Sequence, residues 1–348
     1  MAELVYAPVL GTGSRKGLEV RVLFWAQYVM QKIIITKEIA GERLDKFLSS
    51  GNFFDGRVTR SELSRQIKAG TILVNEKSVK SGYILKNNDV ITFDFKFSEE
   101  KVLLPKVEKA LPIIFTDENI IVIDKPAGMQ VHPDDTRKEE TLVNYLVAQF
   151  PEIETVCDDT KEGRLRPGIV HRLDKDTSGV IVVARNTKAF TELKRQFQDK
   201  EVEKKYQAIV YGVPDPPSGV IEKPLARSAD YRRQVVAGRK TKTKIREALT
   251  EYRMLRAIGN DFALMELSPK TGRMHQIRVH LTSIGHPIVG DTKYFLRGIE
   301  RLDFARRQLL HAQSINFTLF GNAYEFDSPL PTDFLDFDRF LDETAGKR

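Results

Sequence analysis

Gly168-Ile169-Val170-His171-Arg172-Leu173-Asp174-Lys175-Asp176-Thr177-Ser178-Gly179-Val180-Ile181-Val182-Val183-Ala184 sets a charged nonapeptide between two apolar, β-branched runs. Such runs read as buried strands. The charged residues between them then form a loop pinned at both ends. Asp174 follows Leu173, which can anchor it to the core, whereas Asp176 precedes Thr177-Ser178-Gly179 and suits a turn. The preference for Asp174 is modest on these grounds, since short polar side chains often cap turns. A carboxylate without a neighbouring metal cluster points to a nucleophile or an electrostatic stabiliser. His171 could act as a base or hold a structural hydrogen bond.

On the N-terminal side of this loop, Ile113–Phe115 and Ile120–Ile123 read as two buried strands around the turn 116–119. The second ends in Asp124-Lys125-Pro126-Ala127-Gly128, a charge beside a fixed backbone. On the C-terminal side, Lys204–Gly212 alternates, with Tyr206, Ala208 and Val210 on one side. Phe262–Leu267 is a further strand. After it, Thr271-Gly272-Arg273-Met274-His275-Gln276-Ile277-Arg278-Val279-His280 opens a helix. Ile277 and Leu281 share one face, and His275 and Arg278 another. His275 and His280 are five apart, a poor spacing for shared metal ligation, and no metal site is expected. Seven basic residues (Arg227, Arg232, Arg233, Arg239, Lys240, Lys242 and Lys244) read as a mobile loop suited to a polyanion.

The N-terminal third has a different pattern. Leu44, Phe47 and Leu48 fall at helical spacing, and Thr59–Glu62 forms a capping box for a second helix. Leu63 and Ile67 line its inner face, Arg60, Arg65 and Lys68 point elsewhere, and Gly70 ends it. Ile72–Val74 and Val90–Phe93 read as strands, the latter after the turn 87–89. The polar stretch 97–109 reads as a linker. Before Met30, the run 11–17 misses both phosphate-loop spacings, and Arg21 and Gln27 interrupt a would-be signal peptide. Residues 1–30 are therefore expected to be a disordered leader, or sequence upstream of a start at Met30.

Composition narrows the classes further. At 348 residues, two domains are expected. A formal charge of +7 permits a polyanion partner without demanding one. The single cysteine excludes an intrachain disulfide framework and fits a reducing, cytoplasmic setting. No apolar run approaches the roughly 18 residues of a membrane span.

Two resemblances emerge from these motifs. Arg43–Leu48, Ser64–Gly70, Val74-Asn75, Leu85 and Asp89-Val90 resemble the S-four-type RNA-binding domain, over about residues 33–96. That likeness implies binding of structured RNA by shape and phosphates, with Arg60, Arg65 and Lys68 as contacts. The nonapeptide 171–179, with Lys125–Gly128 and Thr271–His280, resembles the RluA family of pseudouridine synthases, in its RluD-like layout. The resemblance implies an α+β fold with a mixed, mainly antiparallel sheet over residues 110–340, a small RNA-binding domain over 31–96 and a tail from 341 to 348. It implies isomerisation of uridine to pseudouridine without a cofactor. Asp174 would be the catalytic aspartate, Tyr206 the ring stacked on uracil and Arg278 the partner of Asp174. Arg172 would fill the space left by the flipped base, and Arg273 would contact RNA. Lys125, Pro126, His171 and Ile277 would support the site. Met274 stands where the family usually has threonine or serine. The implied substrate is large-subunit ribosomal RNA, alone or in a ribosome precursor, with transfer RNA as the alternative, for a monomer away from membranes. A non-catalytic RNA-binding or ribosome-assembly protein, and an aspartate-dependent hydrolase, are the competing classes. The hydrolase lacks a convincing second carboxylate.

Overall fold

The computed structural model describes residues 20–25, 28–50, 60–93, 105–106, 110–134, 139–158, 160, 163–228, 233–302 and 304–345. The chain divides into two compact units, residues 1–100 and 101–348. The division falls within the expected linker.

In the first unit, β1 (Val20–Trp25) pairs antiparallel with β2 (Tyr28–Ile34). Ordered pairing therefore reaches into the stretch expected to be a leader before Met30. α1 (Leu44–Ser50) and α2 (Arg60–Ala69) follow, then β3 (Ile72–Val74) and β4 (Val90–Phe93), giving the sheet order β1-β2-β4-β3. Leu44, Phe47 and Leu48 of α1 and Leu63 and Ile67 of α2 are buried together against Ile33, Ile72 and Ile91. The helical spacing read in the sequence is thus the packing face. Gly70 ends α2 at φ +76, a left-handed conformation that favours glycine. Asp89 fixes the turn before β4 by accepting from the Lys86 N–H at 2.8 Å and from Asn75 Nδ2 at 2.8 Å. Arg65 and Lys68 are exposed. The capping box at 59–62 and the Arg60 side chain lie outside the described residues.

In the second unit, β5 (Ile113–Thr116), β6 (Ile120–Lys125), α3 (Leu142–Gln149), β7 (Ser178–Ala184), α4 (Thr187–Asp199), β8 (Glu203–Tyr211), β9 (Ser218–Glu222), β10 (Leu225–Arg227), β11 (Gln234–Val236), β12 (Leu249–Ile258), β13 (Phe262–Pro269), α5 (Gln276–Ser283), β14 (Leu310–Leu319), β15 (Asn322–Asp327) and α6 (Thr332–Ala345) follow in order. Nine strands form one sheet, β5-β6-β7-β14-β8-β13-β12-β9, with β15 also on β14. Every pairing is antiparallel except β7–β14. This is the α+β, mainly antiparallel architecture the resemblance implied.

The β7–β14 contact positions the site. It is a short parallel pairing through His311–Ser178 and Ala312–Gly179, after which β15 takes over that edge of β14. Gly179 lies at φ +112, and a Cβ there would sit 2.2 Å from the Ala312 carbonyl oxygen. Only glycine permits the close approach. Ser178 Oγ meets His311 Nδ1 at 3.0 Å across the same junction. The loop ending at Thr177 therefore emerges at the middle of the sheet. β7 is buried along its whole length, as its β-branched sequence requires, and its core includes Val122, Leu146 and Leu193.

Three expectations need correction. β5 is mostly exposed rather than buried, because it is the edge strand. Gly168–Val170 forms no strand, only a bridge from Ile169 to Val183. At Gly168 (φ +69) a Cβ would meet the Ala184 carbonyl at 2.6 Å, so the chain turns tightly there instead of extending. Finally, α6 continues to Ala345, through the start of the expected tail, with Phe334 and Phe337 buried in the core beneath β8 and β13.

Candidate active site

The loop from Arg172 to Thr177 closes on a turn in which the Thr177 N–H donates to the Asp174 carbonyl at 3.1 Å. Two cations hold its next two carbonyls. Lys125 Nζ donates to the carbonyls of Lys175 (3.1 Å), Pro126 (2.9 Å) and Met129 (2.9 Å). Three acceptors match the three N–H groups of an ammonium. Lys125 is fully buried, and burial pushes its pKa down to about 7. Arg307 Nη1 donates to the Asp176 carbonyl at 3.1 Å, while its other nitrogens grip Asp333 of α6 at 2.6 and 2.8 Å. Leu173 anchors the loop in the core, as its position suggested. The Lys125-Pro126 corner, read as a buttress, thus bonds directly to the loop that carries Asp174.

The side chain of Asp174 is held by an arginine of α5. Its Oδ2 accepts from Arg278 Nη1 at 2.9 Å. Arg278 also grips Asp291, through Nε at 2.7 Å and Nη2 at 2.9 Å. Burial opposes the charge on Arg278, but Asp291 and then Asp174 outweigh it and raise its pKa. Asp291 has a fully buried carboxylate that also accepts the N–H groups of Lys293 and Tyr294. Asp174 and Arg278 line a cavity of about 130 Å³ together with Arg172, Tyr206, Arg273, His275 and Ile277. Asp176 is not among its lining residues. The cavity is smaller than the roughly 300–1,000 Å³ that enclose whole small molecules, so it suits one ring.

Tyr206 sits on β8 opposite Leu267 and Ala312, and burial, then the charge of Asp174, raises its pKa. It presents a neutral aromatic surface to the cavity. Arg172 Nη1 donates to His132 Nε2 at 2.9 Å. Burial chiefly, with help from Arg172 and Arg166, lowers His132 to about 4, so it is a neutral acceptor. Arg273 Nε donates to the Glu247 carbonyl at 3.0 Å. His171 lies away from the carboxylate: its Nε2 accepts the Val182 N–H at 2.9 Å and its ring stacks on Phe197. Of its two readings, the geometry carries the structural one. Ile277 packs in the core beside Leu281, on the apolar face expected of α5.

Sequence reasoning missed His132, Asp291, Tyr294 and Arg307. His132, Tyr294 and Arg307 reach partners 40, 60 and 131 positions away, and Asp291 meets Arg278 across 13. Within the basic stretch β10 and β11 pair antiparallel, and residues 229–232 lie outside the described residues. A larger hollow of about 440 Å³ lies beside α4 and β14, but its Arg195 is already paired with Glu192, Asp199 and Glu201.

The arrangement also predicts a pH response. His132, His171 and His275 are held at about 4, 3 and 4, each chiefly by burial. An unfolded histidine titrates near 6.5, so between about pH 4 and 6.5 the unfolded chain binds more protons than the fold. Stability is full above that range and is lost as pH falls through it, by up to about 1.4 kcal/mol per imidazole and pH unit. Thermal melting from pH 7 to 4.5 should show this decline. A flat melting temperature would show that these rings are solvated.

Comparison with known proteins gives the family. Residues 119–283 match the RNA pseudouridylate synthase family, and residues 42–91 match the S4 domain. The chain is 37% identical over 308 residues to the uncharacterized RNA pseudouridine synthase YlyB of Bacillus subtilis, covering 87% of this chain and 96% of that one. This chain belongs to the RNA pseudouridine synthase family. A second relative, from Zymomonas mobilis, is 35% identical over 316 residues, covers 87% of this chain and 95% of its own, and is named ribosomal large subunit pseudouridine synthase D. Among solved structures, human RNA pseudouridylate synthase domain containing 1 superposes with a TM-score of 0.51 at 25% identity, over 65% of this chain and 85% of its own. As a pseudouridine synthase the protein is an isomerase, and the hydrolase reading falls away. Among the described residues, no helix is long and apolar enough to cross a membrane.

Proposed function

We propose that this pseudouridine synthase acts on large-subunit ribosomal RNA, with Asp174 as its catalytic aspartate. The observation that carries the reading is the guanidinium of Arg278, which joins Asp174 to the buried Asp291 at a cavity sized for one ring. The ribosomal substrate is supported by the names of the relatives from Zymomonas mobilis and Borreliella burgdorferi and by the match to an S4 domain. Residues Arg60, Arg65 and Lys68 of that domain would meet phosphates, which position RNA without reading its sequence.

The chemistry needs no net change in atoms. The bond from the ribose to the ring nitrogen breaks, the uracil turns, and a bond to ring carbon five forms, with that carbon's hydrogen lost as a proton and a proton taken up by the freed ring nitrogen. The target base must first leave its stack, at a cost of a few kcal/mol. Tyr206 offsets part of this by stacking on the uracil, and Arg172, swung from His132, occupies the vacated place. Asp174 then acts as nucleophile or stabilises the developing charge. Lys125, Pro126, His171 and Ile277 keep the loop and α5 in register, and Arg273 meets the RNA backbone. We read the enzyme as a cytoplasmic monomer, in keeping with its single cysteine.

The test is tritium release from RNA labelled at carbon five of uracil, followed by mapping of the modified position. Release from large-subunit ribosomal RNA is expected. Release from transfer RNA alone would reassign the substrate, and release from neither would favour a non-catalytic RNA-binding protein.

A further inference from the structure

The two oxygens of Asp174 have different surroundings. Oδ2 is held by Arg278 at 2.9 Å, whereas Oδ1 faces His275 Nε2 at 3.9 Å. That distance is too long for a hydrogen bond. It is short enough for one small group to bond to both atoms at once.

The tautomer of His275 follows the direction of its bond to Tyr294. Tyr294 Oη accepts the Gln234 N–H at 2.9 Å and lies 2.7 Å from His275 Nδ1. With the Gln234 N–H already on Tyr294 Oη, we take the single phenolic proton of Tyr294 to run to Nδ1. Nδ1 therefore carries the lone pair and Nε2 the hydrogen. His275 is neutral near pH 7, chiefly through burial, with Asp174 opposing and Arg278 and Lys293 reinforcing; Asp291 also faces it. The ring is held in place: His275 caps α5 in a left-handed conformation (φ 56) and meets Tyr294 edge-on, while Arg278 lies over the Tyr294 ring.

A group seated in this gap must accept from Nε2–H and donate to Oδ1. A uracil carbonyl accepts but would turn its lone pairs on the carboxylate. The ring N–H donates but would face another N–H. In an internal nucleotide the 3′ and 5′ oxygens are esterified and carry no proton. One group of the substrate remains that does both. We propose that the gap between His275 Nε2 and Asp174 Oδ1 seats the 2′-hydroxyl of the target nucleotide, which makes His275 a specificity-determining residue that selects ribose over deoxyribose. The 2′-hydroxyl distinguishes RNA from DNA, and a site built to bond a hydroxyl rejects analogues that lack it. It also neighbours the sugar carbon whose bond breaks, so the same contact draws that carbon toward Asp174.

The inference rests on the synthase reading, and one experiment separates the two. The probe is a synthetic oligoribonucleotide spanning the mapped site, with tritiated uridine or tritiated 2′-deoxyuridine at the target only. No tritium release by the parent enzyme from the ribose form would overturn the synthase reading and this inference with it. Given release, the ribose target should react about 100-fold faster than the deoxy target in single turnover. His275→Ala should slow the ribose target and leave the deoxy target nearly unchanged, cutting that ratio at least about tenfold. Tyr294→Phe, which frees the tautomer, should cut it in the same direction, and His275→Gln, which keeps an N–H donor, should restore part of it. These two variants give the same readout should His275→Ala fail to fold. A parent ratio near one, or a ratio unmoved by the substitutions while both rates fall together, would overturn the proposal.

Discussion

Asp174→Asn should melt close to the parent, bind RNA as the parent does, and lose isomerisation by on the order of 10⁴-fold or more, the scale seen when a catalytic group is removed. The structural side of this expectation follows from the two ends of Arg278. Asparagine keeps an oxygen that can accept from Arg278 Nη1, and the guanidinium stays charge-paired with Asp291. No buried cation is stranded, so the stability change should stay within about 1 kcal/mol. The functional side follows from chemistry. A carboxamide is a poor nucleophile and carries no charge to balance a cationic sugar. Tritium release in single turnover, read beside a thermal melt, separates the two. Activity within tenfold of the parent would move the catalytic role to another group, and Asp176 is poorly placed to take it, since its backbone forms the turn and its side chain does not line the cavity.

How much of this was legible in the sequence depended on the range of the signal. Local patterns carried over well. Leu44, Phe47, Leu63 and Ile67 announced one helical face apiece, and β7 announced its burial through an unbroken β-branched run. Failures came where the partner lay far along the chain. The apolar run Ile113–Phe115 looks like a core strand, yet nothing local says that it forms an edge. Gly168–Val170 looks extended, but its glycine serves a tight approach to Ala184. Local physics preferred Asp174 over Asp176 only modestly, because the contact that distinguishes them comes from Arg278, 104 positions away. His132, Arg307 and Tyr294 reach partners as far as 40, 131 and 60 positions distant. Periodicity reports which face is buried; it does not report which charged side chains that burial brings together. The family resemblance supplied Asp174, Tyr206 and Arg278, and the fold brings all three to one cavity.

Arg278→Met should damage both stability and activity. Asp291 has no solvent to turn to, since its carboxylate is fully buried, and its two backbone partners do not neutralise its charge. Stranding a buried charge in this way costs about 3–5 kcal/mol. Arg278→Lys should rescue little, because one ammonium cannot reproduce a two-pronged grip on Asp291 while also reaching Asp174. Loss of activity would be ambiguous if the protein simply unfolded, so the informative variant is the double substitution Arg278→Met/Asp291→Asn. Asparagine at 291 can still accept from the Lys293 and Tyr294 N–H groups but leaves no buried charge unpaired. Most of the lost stability should return. Activity should not, because Asp174 Oδ2 still lacks the donor that aims it, and a displacement of about 1 Å at a reacting atom is worth about 10²-fold in rate. A double variant that regains both stability and rate would show that Arg278 serves the fold alone. One that regains stability while remaining at least 10²-fold slow places Arg278 in the positioning of Asp174, the role its third nitrogen takes at 2.9 Å.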